Sequence, residues 1–222
     1  MLKVGVIYDR SQQALGGHGT HLAFRGLPVE IVALVDGQAE GVRERADKVG
    51  AKRVYCNFLD MLDAEQPDII VLGSRDPVAH LVPLFEAVKR GMHVLCEKPL
   101  CTTLEEADAI IALARRTGSK VAVAHLARHS IIFRTMKSML ADGVIGTPLS
   151  VYGRGKEDER GGGEDLVVLG THILDIMCYL FGQPRSLFAE VTMAGQPIAA
   201  TDRVPTREPL GPVAGDNIFV HI

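Results

Sequence analysis

The sequence predicts an α/β chain in two parts. A parallel sheet with helices on both faces occupies residues 1–124, and an incomplete α+β domain with a mainly antiparallel sheet occupies residues 125–222. Three observations predict this. Short β-branched runs alternate with helical segments through the first half, the pattern of successive βαβ units. Residues 69–73 form a continuous apolar run of the kind buried inside parallel sheets. After about residue 125 the alternation stops, and the remaining strand-like segments alternate apolar and polar residues as half-exposed strands do.

Residues 4–8 are the first strand by their β-branched content, and residues 9–19 a glycine-rich loop. Thr20 suits a cap for a helix over 20–25. A second strand, 29–35, ends on Asp36, and a charged helix follows over 39–49. Residues 53–55 read as a short strand, 58–64 as a short helix, and 69–73 as the buried strand. A helix over 78–90 stops at Gly91. Residues 94–96 are a strand, 103–117 a helix and 120–124 a strand; Thr103-Leu104-Glu105-Glu106 forms a capping box. In the second half, 131–142 is a helix ended by Gly143, 148–155 a strand, and 164–181 a long apolar helix stopped by Gly182 and Pro184. Residues 186–193 and 217–222 are strands, with a loop rich in proline and charge over 198–214.

Composition narrows the function classes. Apolar residues make up 47% and charged residues 23% of 222, as in a soluble globular protein. The net charge of -3 argues against a nucleic-acid surface. No apolar run approaches the roughly 20 residues of a membrane span, and the apolar N-terminus is too short for a signal peptide. Cys56, Cys96, Cys101 and Cys178 are scattered without a Cys-x-x-Cys pair, which indicates neither a disulfide framework nor a zinc site and suits a reducing cytoplasm. His18 and His21 have metal-ligand spacing but no evident third ligand, so no metal is expected.

The chemistry concentrates around Gly91-Met92-His93-Val94-Leu95-Cys96-Glu97-Lys98-Pro99-Leu100. A short apolar strand ends in two opposite charges, and Pro99 stops the ladder because it has no amide hydrogen. Ligands of open parallel sheets sit outside the carboxyl ends of the strands. Lys98 is there either a ligand contact or half of a surface ion pair. This stretch, together with Ala87-Val88-Lys89-Arg90 before it and Gly170–Asp175 later, resembles the glucose–fructose oxidoreductase / inositol dehydrogenase (Gfo/Idh/MocA) family of nicotinamide-dependent oxidoreductases. The resemblance implies a Rossmann-type first domain and a catalytic role for Lys98, with Glu97 beside the cofactor; the Lys–Pro bond of the motif is often cis in that family.

The first loop departs from the pattern. Gly-x-Gly-x-x-Gly is absent: Gly5 lies inside the strand, Tyr8-Asp9-Arg10 stand where glycine is usual, and Gly16-Gly17-His18-Gly19 comes late. Gly17 and Gly19 are the residues left to serve a pyrophosphate, unless the loop is only a surface loop. Asp36 can accept from adenosine ribose hydroxyls and repel a 2′-phosphate, which favours NAD over NADP; it can also cap the next helix. Ser74-Arg75-Asp76-Pro77-Val78-Ala79-His80 resembles the family's threonine–proline–x–x–x–histidine segment with its proline two residues late, so that Ser74 is a cofactor contact through its backbone and His80 either a packing residue or a ligand contact.

Gly161–Asp175 resembles the family's glycine-rich turn leading into a catalytic helix, which maps the family histidine to His172 and its later aspartate to Asp175. The aspartate usual four residues before that histidine is Val168 here. Asp165 lies seven residues before His172, on the same face of a regular α-helix, and is taken as the substitute carboxylate. Arg128, Lys156 and Asp175 are candidate substrate contacts, with His129 near them. The expectation is an NAD-dependent enzyme acting on a hydroxyl or carbonyl of a sugar, cyclitol or related polyol, forming a homo-oligomer, with no nucleic-acid or membrane partner. The alternative is a non-catalytic nucleotide-binding or regulatory protein on the same fold.

Overall fold

The computed structural model describes residues 1–8, 19–208 and 210–222. The chain divides into two compact units, Met1–Ala124 and His125–Ile222.

In the first unit, strands β1 (Lys3–Ile7), β2 (Glu30–Val35), β3 (Arg53–Tyr55), β4 (Ile69–Leu72), β5 (His93–Cys96) and β6 (Val121–Val123) form one sheet in the order β3-β2-β1-β4-β5-β6. All its pairings are parallel, with Val4 opposite Ile31 on one side and Ile69 on the other. Helices α1 (Val42–Val49), α2 (Phe58–Glu65), α3 (Pro77–Lys89) and α4 (Leu104–Thr117) connect the strands. Each of two faces has its own core. Met61, Leu62, Leu84, Val88 and Ile110 pack with Ile7, Ile70 and Val94 on one, and Ala46 and Val49 pack with Val4, Val6 and Val71 on the other. Burial on both faces explains why β4 is a continuous apolar run. Gly5 packs closely against α2, since a Cβ there would lie 2.8 Å from the sulfur of Met61.

The helix ends follow local chemistry. Asp76 caps α3 by accepting from the Val78 amide, with Pro77 at the first position. Thr103 and Glu106 form the expected capping box at α4. Residues 20–25 make only a 3-10 turn, Thr20–Leu22. Thr20 is not its cap: Gly19 precedes it in the left-handed region, and the Thr20 hydroxyl is used elsewhere.

In the second unit, α5 (Ile131–Ala141) is capped by Ser130. The predicted helix over 164–181 is subdivided into a short turn α6 (Gly163–Asp165), a π-helical turn over Leu166–Gly170, and α7 (Thr171–Phe181). The glycines before it are dictated by close packing. A Cβ on Gly162 would lie 2.2 Å from the Gly215 carbonyl oxygen, and one on Gly163 2.5 Å from that of Ala214. Strands β7 (Phe188–Met193), β8 (Gln196–Pro197) and β9 (Asn217–His221) form an antiparallel sheet in the order β8-β7-β9. Two expectations are corrected. Residues 148–155 pair with no strand among the described residues, although the chain there lies so close to α7 that a Cβ on Gly153 would meet Ile173 at 2.4 Å. The loop over 198–214 contains a 3-10 turn at Ala200–Asp202 and a bridge between Val204 and Val213. No helix of the described residues is long and apolar enough to cross a membrane.

Candidate active site

The strand order of the first unit reverses direction between β1 and β4. Ligands of such sheets bind beyond the carboxyl ends, at that switch point. Five of the expected cofactor residues lie in the described segments at or just beyond that end: Gly19, Asp36, Ser74, Glu97 and Lys98. Gly17 lies outside the described residues, as do Gly16 and His18.

Glu97 and Lys98 follow β5 directly, and each is 2% exposed. The Glu97 amide donates to the Leu72 carbonyl at 2.9 Å, which extends the pairing of β4 and β5 by one residue. The Glu97 carboxylate accepts from the Thr20 hydroxyl and from the Lys98 amide. It is therefore not a surface charge: it ties the segment after the first loop to the end of β5. The Lys98–Pro99 peptide is cis. The neighbouring Cys96 thiol is fully buried and burial pushes its pKa far up, so it is no nucleophile.

Asp36 ends β2 with its carboxylate buried. Oδ1 accepts from the Gln38 amide at 2.9 Å, and Oδ2 from Arg45 Nε at 2.5 Å. Arg45 also donates to the carbonyls of Glu40 and Gln38, at 2.6 and 2.5 Å. Asp36 thus shapes the loop before α1 rather than capping the helix, whose cap position is Gly41. Sequence reasoning missed Arg45, because a guanidinium one turn into a charged helix looks like solvated surface.

Tyr8 lies at the end of β1. Its ring stacks on His21, centroids 4.4 Å apart and 4° from parallel. Gly73 at the end of β4 leaves room for this pair, since a Cβ there would come within 3.1 Å of both side chains. Gly19 has φ +93° and open space where a Cβ would point. Ser74 accepts from the Asp76 amide through its hydroxyl, at 3.1 Å. His80 is buried between two carbonyl oxygens, with Nδ1 3.2 Å from Ser74 and Nε2 3.0 Å from Leu100.

In the second unit, His172 lies in the first turn of α7, with its ring edge-on to His125 at 5.6 Å between centroids. Asp165 is buried, and both its oxygens meet Lys156: the amide at 2.7 Å and the ammonium at 2.8 Å. The π turn between Asp165 and His172 carries more residues per turn than an α-helix. Their seven-residue spacing therefore does not return to one face, which corrects the expected alignment. Arg128 and Asp175 pair with each other through two parallel hydrogen bonds, and the Arg128 guanidinium lies 5.6 Å from the Tyr179 ring centre. The neighbouring His129 lies in the same 3-10 turn as Arg128. The structure pairs Glu97 with Thr20, Asp36 with Arg45, Lys156 with Asp165, and Arg128 with Asp175. No group of three or more His, Cys, Asp or Glu side chains that could hold a metal exists among the described residues.

Residues 4–125 match the family model described as "Oxidoreductase family, NAD-binding Rossmann fold". The chain belongs to that family, Gfo/Idh/MocA. It is 33% identical to the D-apiose dehydrogenase of Paraburkholderia graminis over 183 residues, which cover 78% of this chain and 48% of that protein. It is 30% identical to an inositol 2-dehydrogenase of Rubrobacter xylanophilus over 182 residues, 79% of this chain and 50% of that one. The chain thus spans about half the length of these curated relatives. A myo-inositol 2-dehydrogenase from Lactobacillus plantarum superimposes with a TM-score of 0.67 at 23% identity, over 86% of this chain and 60% of that one. A Klebsiella pneumoniae NAD binding oxidoreductase superimposes with a TM-score of 0.72 at 22% identity, over 99% of this chain and 62% of that one. These two likenesses show the fold.

Proposed function

We propose that this chain binds the cofactor and contacts the substrate of an NAD-dependent dehydrogenase or reductase acting on a hydroxyl or carbonyl of a sugar, cyclitol or related polyol. The observation that carries this reading is Lys98, buried at the carboxyl end of β5 beside the β1/β4 switch point. The donor set fits a dinucleotide. Asp36 at the end of β2 suits the adenosine ribose, Gly19 and the loop before it suit the pyrophosphate, and Ser74, Glu97 and Lys98 suit the nicotinamide end.

The bound nicotinamide supplies a hydride acceptor or donor. In the oxidation direction the protein's part would be to take the proton that leaves the alcohol oxygen. We assign proton handling to Lys98 in the first unit and to His172 in the second. Asp165, paired with Lys156, is assigned to holding Lys156 in place next to the glycine-rich turn. Arg128 and Asp175 retain a role as a paired substrate-facing unit, since a bidentate pair presents its remaining donors and lone pairs to a polyhydroxylated ligand. Preference for NAD over NADP follows from the carboxylate at Asp36. Four free thiols suit a reducing cytoplasm, and the open β9 edge of the second unit suits homo-oligomerisation.

The test is a titration with NADH and NADPH followed by fluorescence, then a screen of NAD+ reduction with myo-inositol, D-apiose and related polyols at alkaline pH. Saturable NADH binding with turnover on one of them supports the reading. Tight cofactor binding without turnover on any supports the rival, a non-catalytic nucleotide-binding protein.

A further inference from the structure

We propose that His80 is a positioning residue for Lys98, its Nε2 hydrogen donated to the Leu100 carbonyl and thereby fixing the turn that carries the amine. The proposal rests on Lys98 being catalytic.

His80 lies in the first two turns of α3, on the chain after β4, whereas Leu100 lies on the chain after β5. The ring is 2% exposed. A buried polar ring is costly unless it is hydrogen-bonded, and here both nitrogens face acceptors, Leu100 at 3.0 Å and Ser74 at 3.2 Å. Burial holds the ring below its ordinary range, against the opposing pull of the Ser74, Leu100 and Pro99 carbonyls and of Asp76. A neutral imidazole has a single N–H, so it can satisfy one of the two carbonyls, and the shorter contact is Leu100.

That contact matters because of where it falls. Glu97 is tied to the sheet through the Leu72 carbonyl, and Lys98 through its amide to Glu97. Pro99 has no amide hydrogen to add a tie. The hydrogen bonds of Thr102 and Thr103 stay within the capping box of α4. His80 therefore tethers the middle of this loop to the neighbouring strand's loop, two residues from Lys98. Displacing a catalytic group by about 1 Å can cost on the order of 10²-fold in rate.

Glutamine and asparagine separate the two contacts. The glutamine amide nitrogen reaches the place of Nε2, and that of asparagine the place of Nδ1. His80→Gln, His80→Asn, His80→Leu and Lys98→Met would be compared by hydrogen exchange of the 97–103 segment. Lys98 acetylation by acetic anhydride and turnover of NAD+ with myo-inositol or D-apiose would be measured alongside, with circular dichroism to confirm folding. The expected result is that His80→Leu and His80→Asn speed exchange about tenfold and change Lys98 labelling. They should lower kcat by about 10- to 100-fold, with KM for NAD+ within about twofold, and His80→Gln should restore most of each. Lys98→Met combined with His80→Leu should lose no more turnover than Lys98→Met alone. Exchange and labelling unchanged in a folded His80→Leu variant would overturn the tether. Restoration by His80→Asn and not by His80→Gln would overturn the Leu100 assignment. Full turnover in Lys98→Met would overturn the catalytic reading itself, and loss in Lys98→Met with none in His80→Leu would leave that reading standing and remove His80 from it.

Discussion

Arg45 donates from Nε to the buried Asp36 carboxylate at 2.5 Å, while its two terminal nitrogens hold the carbonyls of Gln38 and Glu40. The carboxylate that would discriminate against a 2′-phosphate therefore carries its own counter-charge. NADH should bind more tightly than NADPH, because a carboxylate at the end of β2 repels a 2′-phosphate. Asp36→Ala should narrow the gap by tenfold or more, about 1.4 kcal/mol, since it removes the anion and releases a guanidinium suited to phosphate. Equal affinities in the unmutated chain, measured by fluorescence titration, would contradict this.

Glu65 gives a pH dependence with a definite sign. Burial pushes its carboxyl up, but hydrogen bonds from Tyr55 and Arg53 outweigh that and hold it below the ordinary 4.5. A carboxylate whose pKa is lower in the folded state stabilises the fold above its unfolded pKa, and that contribution is lost as pH falls through the folded value. Glu65→Gln should thus be less stable than the unmutated chain at pH 7, and the difference should shrink steadily once the pH drops below about 4.5. Urea unfolding at a series of pH values checks this; a difference that stays constant down to pH 3 would refute it.

The second unit carries the expectation of self-association. Its sheet ends on β9, which pairs with β7 alone among the described strands. Beside β9 lies a groove of about 1020 Å³, bounded by residues 148–157 and floored by Ile173, Met177 and Phe181 of α7. Leu149, Tyr152 and Phe219 are exposed around it. An open strand edge next to an apolar surface favours pairing with another chain. Sedimentation should show dimers or larger species at micromolar concentration, and Phe219→Lys should shift them toward monomer. A monodisperse monomer with a protected β9 in hydrogen exchange would contradict this.

Most of the first unit was legible because its signals are local. Ile69–Leu72 is apolar throughout, Thr103 and Glu106 make a cap by themselves, and Gly91 and Gly118 stop their helices in the left-handed region. What could not be read depends on partners far along the chain. Thr20 looked like a cap because its neighbours are helical in composition, but its hydroxyl goes to Glu97, 77 residues away. Residues 148–155 alternate as a strand does, yet alternation specifies a face and not a partner, and the described chain places none beside it. Asp165 appeared to share a face with His172 only under regular α geometry, and the π turn at Leu166–Gly170 breaks that arithmetic. The candidate site residues rest on type and position, whereas the pairings of Asp36 with Arg45, Asp165 with Lys156 and Asp175 with Arg128 emerge only from the fold.

The proposed chemistry gives the proton of a hydride-transfer reaction to Lys98 and His172. Steady-state turnover of NAD+ with a polyol accepted by the unmutated protein tests it most directly, in Lys98→Met, His172→Ala and the double variant. Each single change should lower kcat by roughly 10²–10⁴-fold with little change in NADH affinity. The double variant should lose less than the product of the two, because residues acting as a unit are not additive. A Lys98→Met variant that is folded by circular dichroism and keeps full turnover would contradict the account.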